Sequence, residues 1–169
     1  MSPEFARPHR LDQIGAGESK ATVTAEPDER IALARRFGLV AIDSLRADYA
    51  LRQTAEGVRA TGHLSARVTQ ACVVTGDPLA VRVEEDFDLR FVPEPEAGEV
   101  ELTPEACDTI FHSGGAIDLG EAAAETLALA LDPFPRSPAA EQALKAAGVL
   151  GEEQAGPFAA LAALKDKLK

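Results

Sequence analysis

The chain has no tryptophan and a single tyrosine, so it lacks the aromatic platforms on which single-stranded nucleic acids stack. Its two cysteines, Cys72 and Cys107, stand far apart, with no cysteine or histidine at zinc-finger spacing beside either. A reduced, buried thiol is the expected state of each, with one disulfide as the alternative. The three histidines, His9, His63 and His112, make no pair at metal-ligand spacing and no H-E-x-x-H motif, so no metal and no cofactor is expected. No apolar run approaches the roughly 18 residues of a membrane span, and Met1 to Arg10 lacks the basic head and apolar stretch of a secretory signal. The expected setting is cytoplasmic, away from membranes. Positive charge is scarce too: 17 basic against 28 acidic side chains leave a net charge of −11. Phosphate binding needs a cationic surface, so tight direct binding of nucleic acid is not expected and basic proteins are the better partners.

What is present suits a folded chain. With 169 residues and 46% hydrophobic content, one main domain with a sizeable core is expected. Charge is unevenly placed: residues 1–60 hold nine basic and nine acidic side chains, so the whole excess lies beyond them. From Glu84 to Asp108 there are ten acids and only Arg90 to oppose them. Such a belt is either a solvated strand face running into a solvated loop or a docking surface for a cationic protein. A small cationic risk comes from Arg46, Arg52, Arg59 and Arg67, which can share the polar face of neighbouring strands.

Local signals order the elements. Pro27, then Asp28 and Glu29, Arg35 and Arg36, and finally Gly38 predict a helix over 27–37, with Ile31, Leu33, Ala34 and Phe37 as its buried side. Alternation follows. Leu45, Ala47, Tyr49 and Leu51 form one apolar set. Val58, Ala60, Gly62, Leu64, Ala66, Val68, Gln70 and Cys72 form the next, and Leu79, Val81, Val83, Phe87, Leu89 and Phe91 the third, with Glu85 alone out of pattern. Residues 93–115 read as a long acidic loop with at most one helical turn near Pro104 to Asp108.

At Asp118 the period becomes helical. Asp118 caps, Glu121 holds the capping-box position, and Leu119, Ala122, Ala123, Thr126, Leu127, Ala130 and Leu131 make the inner face. Glu121, Glu125 and Asp132 fall at about 200°, 240° and 220° around the axis from Leu119, one stripe facing away from the core. Pro133 and Pro135 stop the helix. A weaker helix is expected over 138–147. Residues 1–147 are read as one α+β domain, an antiparallel meander, with a barrel-like curl as the variant, covered by two or three helices. Residues 148–169 are a linker and a short amphipathic helix. There Phe158, Leu161, Leu164 and Leu168 share an arc of about 120°, with Lys165 inside it. That helix either packs on its own domain or inserts into a groove on a partner.

No residue set specifies catalysis. Gly114-Gly115 lacks the strand, helix and lysine of a phosphate loop, and Glu121 with Glu125 on an exposed stripe is a weak acid–base pair. His63 reads as a solvated strand residue, and Cys72 as a core thiol.

Four segments in order carry a resemblance. Val68-Thr69-Gln70-Ala71-Cys72-Val73-Val74-Thr75, the helix from Ile117-Asp118-Leu119-Gly120-Glu121 to Leu127-Ala128-Leu129, Asp132-Pro133-Phe134-Pro135, and Pro157-Phe158 through Leu164-Lys165 together resemble the YceD family of bacterial proteins. The resemblance implies a role in accumulation of large-subunit ribosomal RNA and makes Cys72, Thr75, Asp118, Pro133 and Pro135 structural motif positions. Many members carry a second cysteine three positions after the first; Thr75 stands there here, so no metal role transfers, and Thr75 with Asp77 fits a closing turn. Joined to the charge, the resemblance implies a noncatalytic ribosome-biogenesis factor that binds a basic ribosomal protein or assembly factor. Its contact residues would be Glu121, Glu125, Asp132, Phe158, Leu161, Leu164 and Lys165. An RNA-processing enzyme and a small-ligand-binding β-domain are the alternatives.

Overall fold

A computed structural model describes residues 3–95 and 108–149. In chain order the elements are β1 (Pro8–Arg10), β2 (Ser19–Thr24), α1 (Pro27–Phe37), β3 (Ala41–Gln53), β4 (Val58–Ala71), β5 (Pro78–Pro93), β6 (Thr109–His112), β7 (Ala116–Asp118), α2 (Leu119–Ala130) and α3 (Ala140–Ala146). The chain divides into two units. One, residues 1–70 and 80–133, holds α1, α2 and nearly all of the strands; the other is residues 71–79 and 134–169.

The class is α+β, and the meander of β3, β4 and β5 follows the three alternating runs. It is the middle of a five-stranded sheet in the order β2-β3-β4-β5-β6. Among the described residues this sheet does not close into a barrel, since β2 and β6 are its edges. Nor is it wholly antiparallel: β6 pairs parallel to β5, with Arg90 opposite Thr109 and Pro93 opposite His112. Residues 94–108 are long enough for the return that a parallel partner requires. The expected long loop over 93–115 is therefore corrected, because β5 runs through its first residue, Pro93, and β6 occupies 109–112. The helical turn expected near Pro104 lies largely outside the described residues. His112 thus sits on a strand, and His9, expected in an unstructured start, pairs in β1 with Ile117 of β7.

Inward positions of the meander make the core. Leu45, Ala47, Tyr49 and Leu51 of β3 and Val58, Ala60, Leu64, Ala66 and Val68 of β4 are buried, together with Val83 and Phe91 of β5. β3 begins earlier than its alternation suggests, because a register shift between Ile42 and Ser44 breaks the period. Leu33 and Ala34 of α1 and Leu119, Ala122, Ala123 and Leu127 of α2 belong to the same buried cluster. Each fully buried leucine contributes roughly 1.5–3 kcal/mol. Ile31, expected on the buried side of α1, is instead 53% exposed, so the helix buries a narrower stripe than its composition offers. Gly62 has no room for a side chain: a Cβ there would lie 2.0 Å from the Asp48 carbonyl oxygen and 2.7 Å from the Phe87 ring. That space lets Phe87 tilt against Tyr49, with ring centroids 4.9 Å apart.

The helix ends obey local chemistry. Glu29 returns its carboxylate to the Glu26 N–H at 2.7 Å and so caps α1. α2 stops at Ala130, and its C-cap Leu131 is extended. Pro133 disfavours helical backbone at Asp132, which therefore lies past the helix and off the expected stripe.

Candidate functional site

The N-terminus of α2 is the most densely partnered place in the larger unit. Asp118, ending β7, accepts N–H bonds from Gly120 at 3.0 Å and Glu121 at 3.1 Å on one carboxylate oxygen, and that oxygen also accepts the Arg7 N–H at 2.8 Å. Tyr49, buried on β3, donates its hydroxyl to the Leu119 carbonyl at 2.8 Å, and burial raises its pKa. Gly120 lets the N-terminal segment pass: a Cβ would lie 2.1 Å from the Phe5 carbonyl oxygen. The expected cap is thus present, and it also ties β1 to the helix.

Glu121 does not complete a capping box outward. Its two oxygens take the Arg36 guanidinium at 2.6 and 3.0 Å, and Arg36 also reaches Glu4 at 3.2 Å. The Glu121 hydrogen bonds hold the Arg36 pKa above its ordinary value. Nearby, Arg7 takes both oxygens of Glu29 at 2.6 and 2.7 Å, which lowers the Glu29 pKa. Of the expected stripe, then, Glu121 is committed to α1. Glu125 is exposed and carries no ion pair among the described residues; partial burial and the neighbouring Glu121 raise its pKa. Asp132 is exposed beyond the helix, and its carbonyl accepts the Gln70 side-chain N–H at 2.9 Å. Phe158, Leu161, Leu164 and Lys165 lie outside the described residues.

On the outer sheet face the acids of β5 are matched. His63 on β4 stands between Asp86 at 2.6 Å and Glu84 at 2.8 Å. Those two contacts raise its pKa. His63 and Arg82 lower the Glu84 carboxyl to about 2. Asp88 binds Arg59, and Asp48 binds Arg46 at 2.9 and 3.0 Å. Arg59 stands directly opposite Arg52 in the register, a repulsion offset on one side by Asp88 and weakly on the other by Glu18 at 3.9 Å from Arg52. The arginines that shared a strand face in sequence are mostly paired; Arg67 carries no ion pair among the described residues.

The inward face of β5 is different. Glu85, the acid out of pattern, lines a groove of 310 Å³ with Phe87, Leu89 and Asp108 on one side and Leu129 and Ala130 of α2 on the other. Leu129 is 88% exposed. Glu85 and Asp108 carry no ion pair among the described residues. The misfit of Glu85 in its strand was the one sequence signal for this place.

In the smaller unit, Cys72 directly follows the last residue of β4, buried as expected. Its Sγ accepts N–H groups from Ser137 at 3.2 Å and Thr75 at 3.4 Å. Burial pushes the thiol pKa up, but these donors outweigh it and bring it down to about 6. Thr75 Oγ1 donates to Asp77 at 2.6 Å, and the Cys72 N–H reaches the Asp77 carbonyl at 2.8 Å, the closing turn expected of those residues. Pro135 is buried, and its carbonyl accepts the Val73 N–H at 2.9 Å. No group of three or more metal-ligating side chains occurs among the described residues, and no helix there is long and apolar enough to cross a membrane.

The family model described as large ribosomal RNA subunit accumulation protein YceD matches residues 60–165, which hold most of β4 and all of β5, β6, β7, α2 and α3. Comparisons with curated proteins and with solved structures give no match.

Proposed function

The chain belongs to the YceD family, and from that premise we propose that it is a noncatalytic ribosome-biogenesis factor of the bacterial cytoplasm, supporting accumulation of large-subunit ribosomal RNA by binding a basic ribosomal protein or assembly factor. The family description names accumulation of this RNA and no reaction. The observation that carries the choice of partner is charge: a chain of net −11 whose outer-face arginines are mostly spent on its own acids offers little to phosphate and much to a cationic protein. Glu125, Asp132 and the C-terminal Phe158, Leu161, Leu164 and Lys165 belong to the proposed contact set. Glu121 joins it only where Arg36 is displaced.

Affinity capture of the full chain from lysate, with and without RNase, tests this. The expected outcome is a basic large-subunit protein or assembly factor retained after RNase. Loss of every such protein with the RNA, together with steeply salt-dependent binding of purified ribosomal RNA fragments, would replace the protein partner by RNA.

A further inference from the structure

We propose that the groove between β5 and the last turn of α2 is a docking cleft for a cationic protein segment that carries one apolar anchor side chain. The inference rests on the binding of a basic ribosomal partner and names the surface and side-chain chemistry of that contact. Its floor is apolar: Phe87, Leu89 and Ala130 pack against the core from one side and leave their other side to the groove. Leu129 forms a wall with 88% of its surface in water, although α2 buries every other leucine and most of its alanines. A volume of 310 Å³ accommodates a side chain and its flanking backbone rather than a whole helix.

The rim selects the sign of the partner. Glu84, Asp86 and Asp88 alternate with the inward side chains of the same strand and are each neutralised by His63, Arg82 or Arg59; Asp86 and Asp88 also border the groove. Glu85 and Asp108 line the groove and carry no ion pair among the described residues. An apolar floor between unmatched carboxylates favours leucine or a similar anchor flanked by lysine or arginine, and it repels a phosphate backbone.

The test uses the full chain and two probes: proteins extracted from purified large ribosomal subunits, and a short synthetic peptide of lysine and arginine around a single leucine. Leu129→Ser and Glu85→Lys are the groove variants, and Glu141→Lys on α3 is the control. The expected result is that the peptide shifts the NMR signals of Leu129 and of residues 85–89, and that each groove variant weakens both probes about tenfold or more while the control does not. Thermal midpoints of the groove variants should stay near the parent's, which separates lost docking from lost fold. A ribosomal protein held equally by parent and groove variants would overturn the groove and leave the functional reading standing. Peptide docking at Leu129 with no ribosomal protein bound would uphold the groove and overturn the functional reading. Peptide shifts confined to other residues, or equal binding of a peptide with serine in place of the leucine, would overturn the groove.

Discussion

The two ends of α2 are built on different rules. At the N-terminus one Asp118 oxygen gathers three backbone N–H groups, Tyr49 holds the first helical carbonyl, Gly120 admits a crossing backbone, and Glu121 is clamped by Arg36. At the other end Leu129 stands in water beside Glu85 and Asp108, which no cation among the described residues answers. A helix whose stability is secured at one end can leave the other unsatisfied. Unmatched charge and exposed leucine contribute nothing to folding, and they are the features that a partner can use.

Substitutions at the two ends should therefore separate stability from binding. Gly120→Ala should have the largest effect, about 3 kcal/mol lost in urea unfolding, since the new Cβ meets backbone that cannot yield as a side chain would. A loss below about 0.5 kcal/mol, the range of ordinary surface changes, would show that the crossing at Phe5 is loose. Asp118→Ala should cost about 1–2 kcal/mol by removing the cap, and Asp118→Asn should restore much of it, because the amide oxygen still accepts. Equal losses in both would assign the effect to charge instead.

The matched acids of the outer face give a subtler contrast. The raised pKa of His63 means that its bridge to Glu84 and Asp86, with Asp48 opposite it on β3, stabilises fully below the ordinary histidine value of 6.5 and fades as pH rises through the higher folded value. The lowered Glu84 acts oppositely: its contribution is present above the ordinary carboxylate value and fades as pH falls towards 2. The thermal midpoint of His63→Asn should fall below the parent's near pH 5.5 and converge on it at alkaline pH. A gap that stays constant with pH would mean packing, not charge. Smallest of all is Leu129→Ser, which should change stability by no more than about 0.5 kcal/mol; a larger loss would move Leu129 into the fold and take the groove with it.

Much of this was legible in local sequence. Helix α1 runs over the residues its proline, acids, arginines and glycine mark, and the inward set of β4 is the set its alternation gives, through Gln70. Asp118 caps as its position before a helical period suggests. These are signals within one turn or one strand, where propensity and period act directly. β2 was missed, because the alternation of Ala21 and Val23 with Lys20, Thr22 and Thr24 spans only six residues and does not stand out.

Fold class, the Asp118 cap, the acidic balance and the family motifs all follow from local sequence. Only tertiary structure decided the rest: β1 against β7, β6 beside β5, Glu121 turned to Arg36, His63 held between two carboxylates, and Glu85 left unmatched next to Leu129. Strands of three or four residues carry no readable period, and pairings across tens of residues leave no local trace. An acid looks the same in sequence whether or not a distant arginine arrives to neutralise it, because Coulomb attraction acts through space and not along the chain.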